Sequence, residues 1–400
     1  MSGGRVGDED LARRRARRLG EDRIRRTRRR RLGGLALLAA VAAAVGFVAG
    51  SSTEDGSPGN DVAATREPAC AKGPDWPLRR VLGQRLMVRI TDEATGRLLR
   101  AARRGEIGGV IAFPPAGTDP RDLARELRRL QRAAKDGGSP PLLVSTDQEG
   151  GPVKRFAEAP PARSPAVLAA SGDVGAARSQ GEATGRFLRD AGVTMDLAPV
   201  LDLGEPGSFV AARTFGVDPG RVASLGIGFA QGLTAAAIVP VAKHFPGLGL
   251  ASANSDLGPS VVAASREQLR PGLDPFRAAI DARIPAIMVS VATYPGYDPD
   301  EPAATSRRIV TGLLRRRLSF GGVVVTDDLQ AGVVAAVAQP AEAAVAAARA
   351  GADVLLFAGG SGEGVLDRLL AAGQRGRLDA GAMRASCDRI VSLKVSSGGE

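Results

Sequence analysis

Two adjacent carboxylates, Asp327 and Asp328, close the run GGVVVTDDLQ at positions 321–330, and they are the first candidates for chemistry in this chain. Three consecutive valines suit a strand covered on both faces, because β-branched side chains pack well on an enclosed, pleated surface. The two acids then stand where a strand leaves its sheet, which in parallel α/β folds is where ligands bind and reactions occur. Other apolar runs end in the same way. Positions 145–156 carry Asp147, Glu149, Lys154 and Arg155; Asp202 and Arg213 follow the next run; Lys243 and His244, the one histidine of the chain, follow another. Carboxylates and fixed cations at a common rim, with few aromatics, suit a polyhydroxylated ligand whose hydroxyls need charged partners in fixed positions. Taken singly, each of these groups also reads as a helix cap or rim salt bridge, and His244 as a hydrogen-bonded structural residue; the set together points to a site.

Something must bring these ends together. Candidate strands fall at 85–90, 109–113, 142–145, 194–198, 239–242, 286–290, 322–325 and 353–357, separated by helical patterns. In the helix expected over 121–135, Leu123, Leu127, Leu130 and Ala134 recur at three- and four-residue spacing; another is expected over 341–350, ending before Gly351. Eight strands alternating with helices predict an α/β fold, a single (β/α)8 TIM barrel over 79–400, rather than an open sheet. A chain of 400 residues with 44% hydrophobic content is large enough for such a core.

The net charge of +11 suggests nucleic acid until its location is considered, because residues 1–31 hold 13 Arg against 5 acids and the remainder is nearly balanced. No nucleic-acid partner is therefore expected. Positions 32–50, LGGLALLAAVAAAVGFVAG, contain no charged side chain. Nineteen residues at about 1.5 Å each make roughly 28 Å of helix, close to the ~30 Å hydrocarbon core of a bilayer. The expectation is a basic cytoplasmic tail (1–31), one transmembrane helix or signal anchor (32–50), a flexible linker (51–78) and a barrel outside the cell membrane. A secreted protein released by signal cleavage is the competing reading. The only cysteines, Cys70 and Cys387, either form a staple between the ends of the barrel or remain two unrelated thiols.

In order along the chain, TDQEGGPVKRF, LAPVLDLG, RTFG, AKHFPGLG and PAATSRRIVTGLLRRRLSFGGVVVTDDL resemble the successive motifs of glycoside hydrolase family 3. Within the family they are most similar to single-domain β-N-acetylglucosaminidases acting on peptidoglycan fragments, over roughly 79–390. That resemblance implies a (β/α)8 barrel, a carbohydrate substrate, no cofactor, and a retaining mechanism through a glycosyl-enzyme ester. The family's nucleophile falls on Asp327. Its sugar-binding positions fall on Asp147, Arg155, Arg213, Lys243 and His244.

One part of the family pattern is altered. In the subgroup, the loop after the KHFPG motif carries an Asp-x-His pair serving as general acid/base and its orienting partner. Here that loop reads LGLASANSDLGPS, placing Leu248, Asn254 and Asp256 at the positions of a histidine, the orienting aspartate and the catalytic histidine, and Val291 where a further histidine is usual. Three readings follow: Asp256 itself is the acid/base, as a carboxylic acid of raised pKa is in other glycosidases; the protein is a sugar-binding or regulatory module of the cell wall without turnover; or the substrate differs and a partner supplies the acid. The run LFAGGSGEG, with Gly359, Gly360, Gly362 and Gly364, reads as a turn or as a phosphate cradle. With one His and two distant Cys, no zinc site is expected.

Overall fold

A computed structural model describes Cys70 and residues 76–396 apart from 92, 255–257, 259, 336–337, 361 and 363, with the backbone alone of 333 and 335. Each of the eight apolar runs forms a strand: β1 (Leu86–Ile90), β2 (Gly109–Ala112), β3 (Leu143–Thr146), β4 (Met195–Asp196), β5 (Val239–Phe245), β6 (Ala286–Val289), β7 (Val323–Thr326) and β8 (Leu355–Phe357). They pair in parallel in the order β7-β6-β5-β4-β3-β2-β1-β8. A bridge between Val325 and Val354 and the bond from Thr326 N to Val354 O, 2.9 Å, carry the pairing from β7 to β8. The ring of eight parallel strands is thereby joined on itself.

Alternation along the strands sorts their side chains. In β1, Leu86, Val88 and Ile90 join the apolar shell between strands and helices, whereas Met87 faces inward. Ile111, Leu143, Met195, Val241 and Met288 fill the interior with it, joined from the C-terminal helix α8 (Ala380–Ser396) by Ile390 and Leu393. The interior is packed side chains, as an eight-stranded barrel requires.

The outer helices include α1 (Gly96–Arg104), α2 (Pro120–Asp136), α3 (Val174–Asp190), α4 (Pro219–Ala235), α5 (Asp274–Asp281), α6 (Pro340–Ala350) and α7 (Val365–Gln374). Arg308–Arg317, between β6 and β7, is wound as a π-helix. Helix α2 shows why the local sequence chooses helix. Asp119 caps it by accepting from Arg121 N at 2.8 Å, and Pro120 supplies a preset φ at its start. Leu123, Leu127, Leu130 and Ala134 are its buried stripe, and it runs one residue beyond each end of the span expected from periodicity.

Two devices fix the ends of the barrel. Cys70 and Cys387 form a disulfide with Cα atoms 6.0 Å apart, buried against Val81 and Val391, so the pairing alternative holds over two separate thiols. Asp353, wholly buried before β8, accepts from Val324 N at 2.9 Å and from Arg389 at 2.7 Å, and also pairs with Arg315. It therefore ties β7, the π-helix and α8 to the start of β8.

The expected basic tail, the expected transmembrane segment at 32–50 and, of the expected linker, residues 51–69 and 71–75 lie outside the described residues. Among the described residues, no helix is long and apolar enough to cross a membrane.

Removing one member of a buried charge cluster leaves the others uncompensated. Asp353→Ala is expected to lower unfolding free energy by about 3–5 kcal/mol in chemical denaturation of the soluble barrel. A loss below about 1 kcal/mol, the worth of an exposed pair, would show that Asp353 does not bind these elements together.

Candidate active site

The carboxyl ends of the strands open on a cavity of about 440 Å³ whose lining includes Asp147, Arg155, Arg213, Lys243, His244 and Asp327. These are six of the seven residues expected from sequence. The seventh, Asp256, lies outside the described residues.

Asp147 follows directly on β3, and the chain then folds into a short hairpin, Gln148–Gly150 with Val153–Lys154. Period-two alternation along this extended stretch puts Asp147 and Glu149 on the same side, and likewise Val153 and Arg155. All four line the cavity, while Lys154, half-buried between the latter two, does not. Gln148, the intervening residue, faces the core: its side chain bonds Phe156 O at 3.0 Å and Pro160 O at 2.8 Å, holding the hairpin in place.

A chain of alternating charges crosses from this hairpin to β5. Arg155 donates to Asp147 at 3.1 Å, and Lys243 Nζ lies 2.7 Å from Asp147 Oδ1 and 2.6 Å from Glu149 Oε1. Glu149 also takes a two-pronged bond from Arg213, at 2.9 and 2.7 Å. Arg213 Nη2 is 3.3 Å from His244 Nε2, and His244 Nδ1 is 2.6 Å from Asp202 Oδ2. Asp202 is buried and also accepts from the backbone N–H groups of His244 and Leu248, at 3.2 and 2.7 Å. It thus fixes both the imidazole and the loop leaving β5.

Burial by itself would raise the pKa of the carboxyls of Asp147 and Glu149, yet both lie below their ordinary values. Lys243 acts on both carboxyls, Arg155 on the first and Arg213 on the second. Asp202 is held down in the same way by His244 and by its backbone donors. Burial opposes the charge on Lys243 and Arg213, but the two acids raise both pKa values. Each charge in the cluster thus favours the ionised form of its opposite neighbour.

Across the mouth stand the two acids after β7. Asp327 is half-buried; its backbone N–H bonds Val289 O at 2.9 Å, and its Oδ1 accepts from Asp328 N at 2.8 Å. Asp328 has a different job: its Oδ1 accepts from Gln330 N and Ala358 N, both at 3.0 Å, joining the loop after β7 to the end of β8. Of the described positions that depart from the family pattern, Leu248 lines the cavity and Val291 is buried, both apolar, while Asn254 is polar and half-buried. Gly359 lines the cavity, while Gly362 and Gly364 adopt positive φ, 63° and 74°, and make the turn into α7. Among the described residues, no cluster of His, Cys, Asp or Glu could hold a metal ion.

Sequence reasoning named Glu149 and Asp202 among the acids at the rim but gave them no role. The alternation that pairs Glu149 with Asp147 was the available signal. Asp196, inside β4, was not singled out at all. It is fully buried, accepts from Gln148 N at 3.0 Å, and has its pKa raised to about 7 by that burial.

Residues 78–393 match the model of the glycosyl hydrolase family 3 N-terminal domain. Beta-hexosaminidase LpqI of Mycobacterium tuberculosis is 33% identical over 384 residues, covering 90% of this chain and 96% of its own. An uncharacterized secreted glycosyl hydrolase of Arthroderma benhamiae is 32% identical over 307 residues, 74% of this chain and 87% of its own. Among solved structures, the family 3 β-N-acetylglucosaminidase of Paenibacillus sp. FPU-7 superposes with a TM-score of 0.77 at 32% identity, over 81% of this chain. The present chain spans 64% of that protein's length.

The raised pKa of Asp196 sets a pH dependence. A carboxyl that holds its proton better when folded contributes stability that is complete below about pH 4 and lost as pH rises through about 7. Urea unfolding between pH 4 and 7.5 is expected to show a decline in the native chain, on the order of a few kcal/mol, that Asp196→Asn removes. Equal slopes in the two proteins would contradict an Asp196 that is neutral in the fold.

Proposed function

The chain belongs to glycosyl hydrolase family 3, a family of glycoside-cleaving enzymes, and on that premise we propose that it is a retaining β-N-acetylhexosaminidase acting on N-acetylglucosamine-containing glycans such as peptidoglycan fragments. The observation that carries this reading is that Asp327 shares one cavity with the paired charges of Asp147, Arg213 and Lys243 and with the imidazole of His244. Retention needs a carboxylate beneath the anomeric carbon and a proton donor about 5 Å away beside the leaving oxygen. Asp327 is the proposed nucleophile. Its neighbour Asp328 holds the backbone of the β7 and β8 loops, and Asp327, not Asp328, is the acid that falls on the family's nucleophile position.

Asp147, Arg155, Arg213, Lys243 and His244 are the proposed sugar-binding residues. Ionised side chains make stronger and more directional bonds to hydroxyls than neutral ones, and here each is fixed by its neighbours before the sugar arrives. The proposed acid/base is Asp256, on the loop that begins at Leu248. It gives a proton to the departing oxygen and takes one from water in the second step. The names of the relatives support the sugar class: one is a beta-hexosaminidase, another a β-N-acetylglucosaminidase.

The proposed setting is outside the cytoplasm, with 32–50 as membrane anchor. A buried disulfide between the start and end of the barrel supports an oxidising compartment, and the secreted name of one relative agrees with it.

The test is kinetic, on residues 68–400. Asp327→Ala is expected to lower kcat/KM on an aryl β-N-acetylglucosaminide on the order of 10⁴-fold or more. Asp256→Ala is expected to slow cleavage of an alkyl glycoside by about 10²–10⁴-fold, and an activated aryl glycoside much less. Saturable muropeptide binding with no release from either substrate by the unaltered protein would instead make it a binding module of the wall.

A further inference from the structure

The cavity has a second half that the sugar-binding cluster does not use. It lies where β7, β8, β1 and β2 end, and its lining includes Arg89, Phe113, Gln330 and Gly359. Arg89 is the one exposed residue of β1, whose pattern is otherwise buried. Alternation puts it on the same side as Met87, inside the barrel, one layer nearer the mouth. An inward position at the top of a barrel strand is where a ligand is met, rather than where a solvated surface charge is expected.

Its environment is that of a cation awaiting a partner. The guanidinium lies 5.1 Å from the centroid of the Phe113 ring, and that ring also carries Arg155, at 4.3 Å. An aromatic ring holds a guanidinium in place without neutralising it. Arg155 is balanced by Asp147, Lys243 by Asp147 and Glu149, and Arg213 by Glu149. Among the described residues, Arg89 has no carboxylate partner. Nearby, on the loop that begins with Asp327, Gln330 Oε1 is buried with no hydrogen-bond partner, packed against Gly359, where an added Cβ would touch that oxygen at 3.4 Å. A buried carbonyl oxygen without a donor is costly, and a ligand hydroxyl or amide N–H would satisfy it.

We infer that Arg89, Phe113 and Gln330 form a leaving-group subsite for an aglycone bearing an anion, a carboxylate or a phosphate, beside a hydroxyl or amide donor. The inference rests on the hydrolase reading above and gives that site its specificity. Arg89 pairs with the anion as a planar two-pronged donor, and Gln330 accepts from the adjacent O–H or N–H. Because these contacts are made to the group that departs, they select among glycans sharing the same N-acetylglucosamine.

The experiment compares three aryl β-N-acetylglucosaminides with leaving groups of matched acidity: one neutral, one carrying a carboxylate and one carrying a phosphate. In the native protein, kcat/KM is expected to be higher for an anionic substrate than for the neutral one, and whichever anion is preferred identifies the source. Arg89→Gln is expected to reduce that ratio about tenfold. An unchanged ratio in Arg89→Gln, or no preference in the native protein, overturns the subsite while leaving the hydrolase reading intact. If no substrate is cleaved, the hydrolase reading fails, and calorimetric binding of the same three glycosides to native and Arg89→Gln protein still decides the subsite. Equal affinities for neutral and anionic ligands count against it.

Discussion

The site depends on one ammonium group held between two carboxylates in a place nearly closed to water. Lys243 is 2% exposed, Glu149 3% and Asp147 9%, so each charge is tolerable only because the others are within bonding distance. Isolated, any one of them would cost several kcal/mol to bury. Together they link the end of β3 to the end of β5 across the intervening β4. The same arrangement extends outward through Arg155 on one side and through Arg213, His244 and Asp202 on the other. A hydroxylated ligand then meets oriented donors and acceptors that need no rearrangement at the moment of binding.

The barrel supplies the other half of the geometry. Parallel strands bring every carboxyl end to one face, and joining β7 to β8 places Asp327 on the same opening as residues nearly two hundred positions earlier. The placement is secured locally by side-chain bonds to backbone. Asp328 holds the β7 loop to the end of β8, Asp202 holds the loop after β5, and Gln148 holds the hairpin after β3. The loops after β3, β5 and β7, which carry candidate catalytic or binding groups, are therefore each anchored by a neighbouring side chain. At the opposite end, Asp353 and the Cys70–Cys387 bond fasten the last helix to the body.

Much of this architecture was legible in the amino-acid sequence because its physical causes are local. Strands β2 and β7 announce themselves as short apolar runs, and α2 as a stripe of leucines behind an Asp-Pro start. Polar residues at the ends of those runs marked the rim, and their order along the chain matched a family. What escaped is what depends on facing and depth. Lys154 and Arg155 are adjacent and chemically alike, yet only the second lines the cavity, since a hairpin two residues wide decides which faces in. Glu149 reads as one more rim acid until Arg213 and Lys243 are seen to converge on it. Asp196 gave no signal because an acid within a strand reads as outward-facing, whereas here it is sealed inside. Arg89, an ordinary surface cation by sequence, becomes notable only once β1 is known to point it into the mouth.

The central claim is that this ring of paired charges presents a sugar to Asp327 for covalent attack. The most direct measurement is mass spectrometry of the soluble barrel, acid-quenched during turnover of a slow aryl β-N-acetylglucosaminide and digested. The account predicts a peptide spanning 321–330 heavier by one N-acetylglucosaminyl residue, with fragmentation locating the added mass on Asp327. Substrate cleavage with the sugar trapped on another residue, or with none trapped under conditions where the second step is rate-limiting, would contradict it.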